Sequence, residues 1–259
     1  MSEFSRAALV VAHPGHELRV HGWLERERPE VFVLTDGSGN SGQSRVSSTA
    51  EILRRAGARP GSVFGRFSDR ELYAVILEGR IEVLAGLARE LAEAFSEPGV
   101  ERVVADALEG FNPSHDVCRL VTDTAVALAR RRTGRAIDSY DFLLEGRPDA
   151  IPGSASSGDL RLKLADGALD RKLAAARAYP ELADEVERAV ARHGAGAFRI
   201  ECLRPADPEA DVESLIEEPP YYESYGERQV AAGRYPRVLR FREHFLPLAQ
   251  ALRELGRTA

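Results

Sequence analysis

The run Ala7-Ala8-Leu9-Val10-Val11-Ala12-His13-Pro14-Gly15-His16-Glu17 decides the fold. Its first six residues read as a buried strand, too short for a membrane span or a signal-peptide core. Pro14 then suits the first position of a helical turn, and Gly15 lets the chain turn tightly. His16 lands three residues after His13, with Glu17 beside it. Open α/β folds hold ligands at the carboxyl edge of their parallel strands, and these two imidazoles fall at such an edge.

The pattern repeats outward from that point. Val31 to Leu34 reads as a second strand, after a helix from about His16 to Arg28 that Pro29 ends. A third strand is expected at Ser62 to Gly65 and a fourth at Val103 to Ala105, ending near Asp106. Between them lie helices over Ser44 to Ala56 and Ile81 to Phe95, and His115 to Arg131 gives the next. Strands alternating with helices make βαβ units, hence a mainly parallel sheet sandwiched by helices, a Rossmann-like three-layer α/β fold.

Further on, Ile137 to Leu144, Leu160 to Leu164 and Phe198 to Leu203 are expected as strands. Ala168 to Tyr179 and Glu181 to Arg192 are expected as helices, with a last one from about Pro236 to Leu255. Pro148 to Gly158, rich in Pro, Gly and Ser, is the clearest loop. With no long linker, the 259 residues are read as one domain whose C-terminal part, from about 160 to 259, elaborates it.

Composition excludes some partners. Lys and Arg number 35 against 41 Asp and Glu, a formal charge of -6 spread along the chain, so no basic stripe awaits nucleic acid. No apolar run approaches the roughly 18 to 20 residues that a membrane span needs. The two cysteines, Cys118 and Cys202, form no C-x-x-C motif and suit the reduced cytoplasm.

A second strand edge carries Glu109-Gly110-Phe111-Asn112-Pro113-Ser114-His115-Asp116 into a helix. If strands one and four lie close, His115 faces His13 and His16. Three imidazoles with an open fourth position form a catalytic zinc site, whose bound water has its pKa lowered toward about 7. The bland reading of each histidine is a hydrogen-bonded turn residue that binds nothing.

These motifs resemble those of the LmbE/PIG-L family of metal-dependent de-N-acetylases, which carry A-H-P-D-D-E after the first strand and H-P-D-H later. Here they stand as Ala12-His13-Pro14-Gly15-His16-Glu17 and Asn112-Pro113-Ser114-His115. Thr35-Asp36-Gly37, followed by Arg45, is similar to the family's T-D-G segment and its arginine, and the likeness extends to Asp170-Arg171-Lys172. The resemblance implies a divalent metal, zinc by ligand type, on His13, His16 and His115. It further implies a small-molecule substrate, an N-acylated amino-sugar conjugate or related amide, with Arg45 binding it.

Two departures fall on chemistry. The position of the family's general base is Gly15, and that of its assisting histidine is Asn112. Glu17, Asp36, Glu109 or Asp116 would then take the lost role, Asp36 first for its place at a strand edge, while Asn112 would still donate a hydrogen bond. Restoring Gly15→Asp is expected to raise any weak activity. The competing reading is a member that binds metal and ligand without catalysis.

Other signals have quieter accounts. Gly37, Gly39 and Gly42 match G-x-G-x-x-G, the phosphate loop of a dinucleotide site, with Arg66 placed for an NADP-type phosphate. His21 is expected near Trp23 or solvent, His193 at a helix end, and His244 on a solvated helix face. Pro219 to Arg228, with three tyrosines and no helical period, is read as a surface loop before a lid, a sugar cleft or a homo-oligomer contact.

Overall fold

The computed structural model describes residues 7–39, 42–97, 99–149, 158–207 and 212–258. Among these residues, seven strands form one sheet: β1 (Ala7–Val11), β2 (Glu30–Thr35), β3 (Arg59–Phe67), β4 (Arg102–Asp106), β5 (Asp138–Phe142), β6 (Leu160–Lys163) and β7 (Ile200–Pro205). Their order is β3-β2-β1-β4-β5-β7-β6. The first five run parallel, while β7 is antiparallel to β5 and β6.

The helices are α1 (His21–Glu27), α2 (Val46–Ala56), α3 (Asp69–Leu77), α4 (Ile81–Ser96), α5 (Pro113–Thr133), α6 (Asp166–Arg177), α7 (Ala183–His193), α8 (Val212–Leu215), α9 (Tyr221–Ala231) and α10 (Leu246–Thr258). Alternation along β1 shows why the sheet is covered on both sides. Ala8, Val10 and Ala12 enter one core with residues of α3, α4, α5 and α10. Ala7, Leu9 and Val11 enter the other, with residues of α1, α2 and α6. The expected mostly parallel three-layer α/β sandwich is what forms.

The chain winds outward from β1 to β2 and β3, then returns to place β4 on the other side of β1. Such a reversal opens a crevice at the carboxyl ends of the two central strands, the general ligand position of open α/β sheets. His13 and His16 follow β1, and His115 follows β4.

Several expectations need correction. The helix expected from His16 begins as a 3-10 turn, His16–Val20, before α1. The third strand is nine residues long and carries register shifts that its short apolar core does not signal. The strand placed over Phe198 to Leu203 runs two residues later, because Ala195–Arg199 is a 3-10 turn. Helix α3 was not anticipated, although Ser68 and Glu71 form a complete capping box at its start. The tyrosine segment is helical: α9 begins at Tyr221 and buries Tyr222 and Gly226. The final helix is preceded by a π-helical turn, Phe241–Phe245, which buries His244, so that histidine is not on a solvated face. The Pro148 to Gly158 loop falls largely outside the described residues. Among those described, no helix is long and apolar enough to cross a membrane.

Candidate metal centre

The three histidines meet. Ring centroids of His13 and His16 are 5.2 Å apart, those of His13 and His115 5.1 Å, and those of His16 and His115 4.6 Å, each pair edge-to-face. Three imidazoles on a tetrahedral zinc at ordinary Zn–N distances would place their centroids about 5 Å apart. Among the described residues no group of three or more His, Cys, Asp or Glu side chains has the geometry of a formed metal site. The fit must therefore be judged on the donors themselves.

Two of the three rings are already oriented. His13 Nδ1 lies 2.7 Å from Thr35 Oγ1 and 2.9 Å from Asp69 Oδ1. The Thr35 hydroxyl gives its hydrogen to the Ala12 carbonyl, and an ionised carboxylate only accepts, so Nδ1 carries the proton and Nε2 keeps its lone pair. His16 Nδ1 lies 2.8 Å from Asp106 Oδ2, which also accepts from the Ala12 N–H. Carboxylates behind imidazoles in this manner fix the tautomer and raise the basicity of metal ligands. His115 Nδ1 is buried with no hydrogen-bond partner.

The electrostatics differ from ring to ring. Burial and then the neighbouring His16 and His13 hold the His115 imidazole well below its usual pKa, which keeps it neutral near pH 7. Burial also pulls His16 down, but the charge and hydrogen bond of Asp106, aided by Glu17 and Asp69, leave it above its ordinary value. Burial of Asp69 is outweighed by His13, which holds that carboxyl well below the usual range. The donor set fits a divalent ion of the zinc type.

The proposed replacements for the missing base are engaged elsewhere. Glu17 is fully buried; its two oxygens accept from the Gly15 N–H and the Thr49 hydroxyl, both at 2.8 Å, and so hold the motif's turn. Asp36 Oδ1 accepts from the Ser38 N–H at 2.9 Å, a turn bond of its own loop. Glu109 accepts from the Leu144 and Glu145 amides. Asp116 Oδ1 accepts from the Glu109 and Gly110 amides, while its buried Oδ2 has no partner; burial first, then the charges of Glu109 and Asp106, push this carboxyl up to about 7 against the pull of those amides. Asn112 caps α5, its side-chain oxygen taking the Ser114 N–H. Arg45 precedes α2, and its N–H donates to the Asp36 carbonyl.

Sequence reasoning missed Asp69 and Asp106 as site residues. The capping box pointed to the start of α3, and thus to Asp69, while Asp106 sits at a strand end already recognised as a ligand edge. Asp106 is fully buried, and its Oδ1 has no partner. An unpaired buried acceptor costs about 1 to 3 kcal/mol, a reason to look for a ligand or proton there.

Gly15 is more than a lost carboxylate. Its φ is +106°, and a Cβ there would stand 2.5 Å from Leu182 Cδ1. Leu182, just before α7, lies against Gly15, so the Gly15→Asp change considered from sequence meets a strained backbone and an apolar neighbour. The glycine-loop alternative also fares poorly. The Gly39 N–H donates to Asp69 Oδ2 at 2.6 Å, and Arg66 makes a two-pronged ion pair with Glu90. Neither group awaits a phosphate.

No protein-family model matches the chain, nor does any curated protein. Solved structures do. The conserved protein TT1542 from Thermus thermophilus aligns with a TM-score of 0.52 at 19% identity, over 79% of this chain and 96% of its own. The A40926 pseudoaglycone deacetylase Dbv21 aligns with 0.52 at 16%, over 81% and 100%. The zinc-inhibited form of the teicoplanin deacetylase Orf2 aligns with 0.53 at 12%, over 77% and 97%. At these identities the likeness establishes one thing: this chain has the mostly parallel three-layer α/β fold that these proteins share.

Proposed function

We propose that this chain is a metal-dependent hydrolase of the deacetylase kind, which cleaves an N-acyl group from an amino-sugar conjugate or related small amide. The observation that carries the reading is the packing of three imidazoles, drawn from two strand ends, at the switch crevice. The deacetylases among the structural neighbours support the reaction class. His13, His16 and His115 would hold the ion, zinc by ligand type, which when bound makes its water acidic enough to attack at neutral pH. Asp69 and Asp106 keep His13 and His16 in the ligating tautomer. Asn112 offers its side-chain N–H to a developing oxyanion, and Arg45 binds the conjugate.

A second reading, a member that binds metal and ligand without turnover, is favoured by one observation, Leu182 against Gly15. The test begins with metal analysis of protein purified without a histidine tag. Near-stoichiometric divalent metal is expected, abolished in His115→Ala and bound about 10- to 100-fold more weakly in Asp69→Asn. Amine release from N-acetylglucosamine conjugates then separates the readings, because metal without turnover leaves only the second. Unchanged metal content in His115→Ala would sink both.

A further inference from the structure

A cavity of about 440 Å³, walled by described residues of α5, β5, β7, α8 and α10, shares no lining residue with the histidine centre. That volume lies in the range of small-molecule sites, about 300 to 1,000 Å³. Its wall has two halves. One is apolar, built from Leu120 of α5, Val212 and Leu215 of α8 and Leu252 of α10. Leu215 is 54% exposed, so an apolar occupant would cover surface that the fold leaves bare.

The other half is charged. Arg119, Arg204 and Arg253 stand among Asp123, Asp141, Asp159 and Asp207, three cations against four carboxylates. Arg119 is 3% exposed. Its Nη1 donates to the Tyr140 carbonyl at 3.0 Å, and its Nη2 to the Asp123 carboxylate and the Ser139 hydroxyl. Arg204 grips Asp141 through Nε and Nη2, at 2.7 and 3.0 Å. A guanidinium carries five N–H hydrogens, so these bonds exhaust neither arginine. The Arg119 Nε is buried and has no acceptor. The acids are in mutual tension as well. Burial first, against the pull of Arg119 and with the like charges of Asp141 and Asp207, pushes the Asp123 carboxyl up to about 6. A cation among these three carboxylates would relieve that repulsion.

We infer that this cavity binds an apolar α-amino acid as its zwitterion, with the ammonium among Asp123, Asp141 and Asp207, the carboxylate on the arginines and the side chain on the leucines. Each simpler ligand leaves part of the wall unmet. An alkylammonium offers nothing to the spare guanidinium hydrogens, a fatty acid adds a fifth negative charge to the four, and a sugar has no use for the apolar half. An α-amino acid carries both charges and a hydrocarbon in one short molecule. The site stands whether or not the chain turns over an amide, because none of its residues holds the metal.

Calorimetric titration of the full chain with L-leucine reads the site directly, with a Kd of about 1 mM or tighter expected. Isopentylamine, which lacks the carboxylate, and 4-methylpentanoic acid, which lacks the ammonium, should each bind about 10-fold more weakly or worse. Asp123→Asn should weaken leucine about 10-fold. Leu215→Asp, at an exposed position where folding is not at stake, should do so about 10-fold as well. Amino acids also chelate metal ions, so His115→Ala serves as the metal-free control and should bind leucine as the parent does. No binding up to about 10 mM leucine, isopentylamine bound as tightly as leucine, or binding lost in His115→Ala would each overturn the assignment. So would affinity unchanged in both Asp123→Asn and Leu215→Asp. Should Asp123→Asn fail to fold, Leu215→Asp decides alone.

Discussion

Gly15→Asp puts back a carboxylate where the resembled family keeps its base, and the structure says the substitution will cost stability. A non-glycine residue held at φ +106° lies outside the conformations L side chains readily adopt, a strain of about 1 to 3 kcal/mol. The new Cβ also lies 2.5 Å from Leu182 Cδ1. That atom is the tip of a flexible side chain, so the crowding falls at the low end of overpacking, about 1 kcal/mol. A loss of about 3 kcal/mol corresponds to a melting temperature lower by about 6 to 12 °C for a domain of this size. Thermal unfolding followed by circular dichroism measures it, with Gly15→Ala as the control that carries the strain without the charge. Pairing Gly15→Asp with Leu182→Ala should recover the crowding share alone. An unchanged melting temperature for Gly15→Asp, accompanied by faster amine release, would refute the reasoning and show that the turn relaxes freely around a side chain.

Two further outcomes follow from buried charges away from the centre. Glu201 accepts from the Gly22 and Trp23 amides at the start of α1 and pairs with Lys172 Nζ at 2.7 Å, the two side chains being 1% and 5% exposed. Lys172→Met leaves that carboxylate without its cation and should cost about 3 kcal/mol, the low end for a broken buried pair, in denaturant titration; a loss under about 1 kcal/mol would show the amides alone suffice. Burial, against the pull of Arg119, pushes the Asp123 carboxyl up to about 6 from an ordinary 3.8. The folded state then holds the proton more tightly, so this group's contribution falls as pH rises from about 4 to 6 and is level above, a change on the order of 3 kcal/mol. Asp123→Asn should remove that slope from a comparison of unfolding free energies across pH, and an identical slope in both proteins would dismiss the argument.

Much of this protein is local in origin. The buried run at β1, the helical spacing of α4 and α5, and histidines directly after β1 and before α5 are properties of short windows. Windows of that length suffice for the layers, the parallel sheet and the approach of His115 to His13 and His16, since strand ends of one parallel sheet share an edge. The tyrosine segment shows where a window fails. Tyr221 faces outward, Tyr222 inward, and Tyr225 is half-buried, a weak period that only packing against Phe245 and the Gly110 loop turns into α9.

The chemistry of the centre is another matter. Asp69 reaches His13 across 56 residues and Asp106 reaches His16 across 90, while Leu182 arrives at Gly15 from the position just before α7. No pattern along the chain marks such partners, because a hydrogen bond or a close contact depends on distance in space and carries no period in sequence. Candidate acids chosen from sequence, Glu17, Asp36 and Asp116, proved to hold backbone amides for the same reason. The chain's local order determined which three rings could meet; the tertiary structure decided which carboxylates stand behind them and which oxygens remain free.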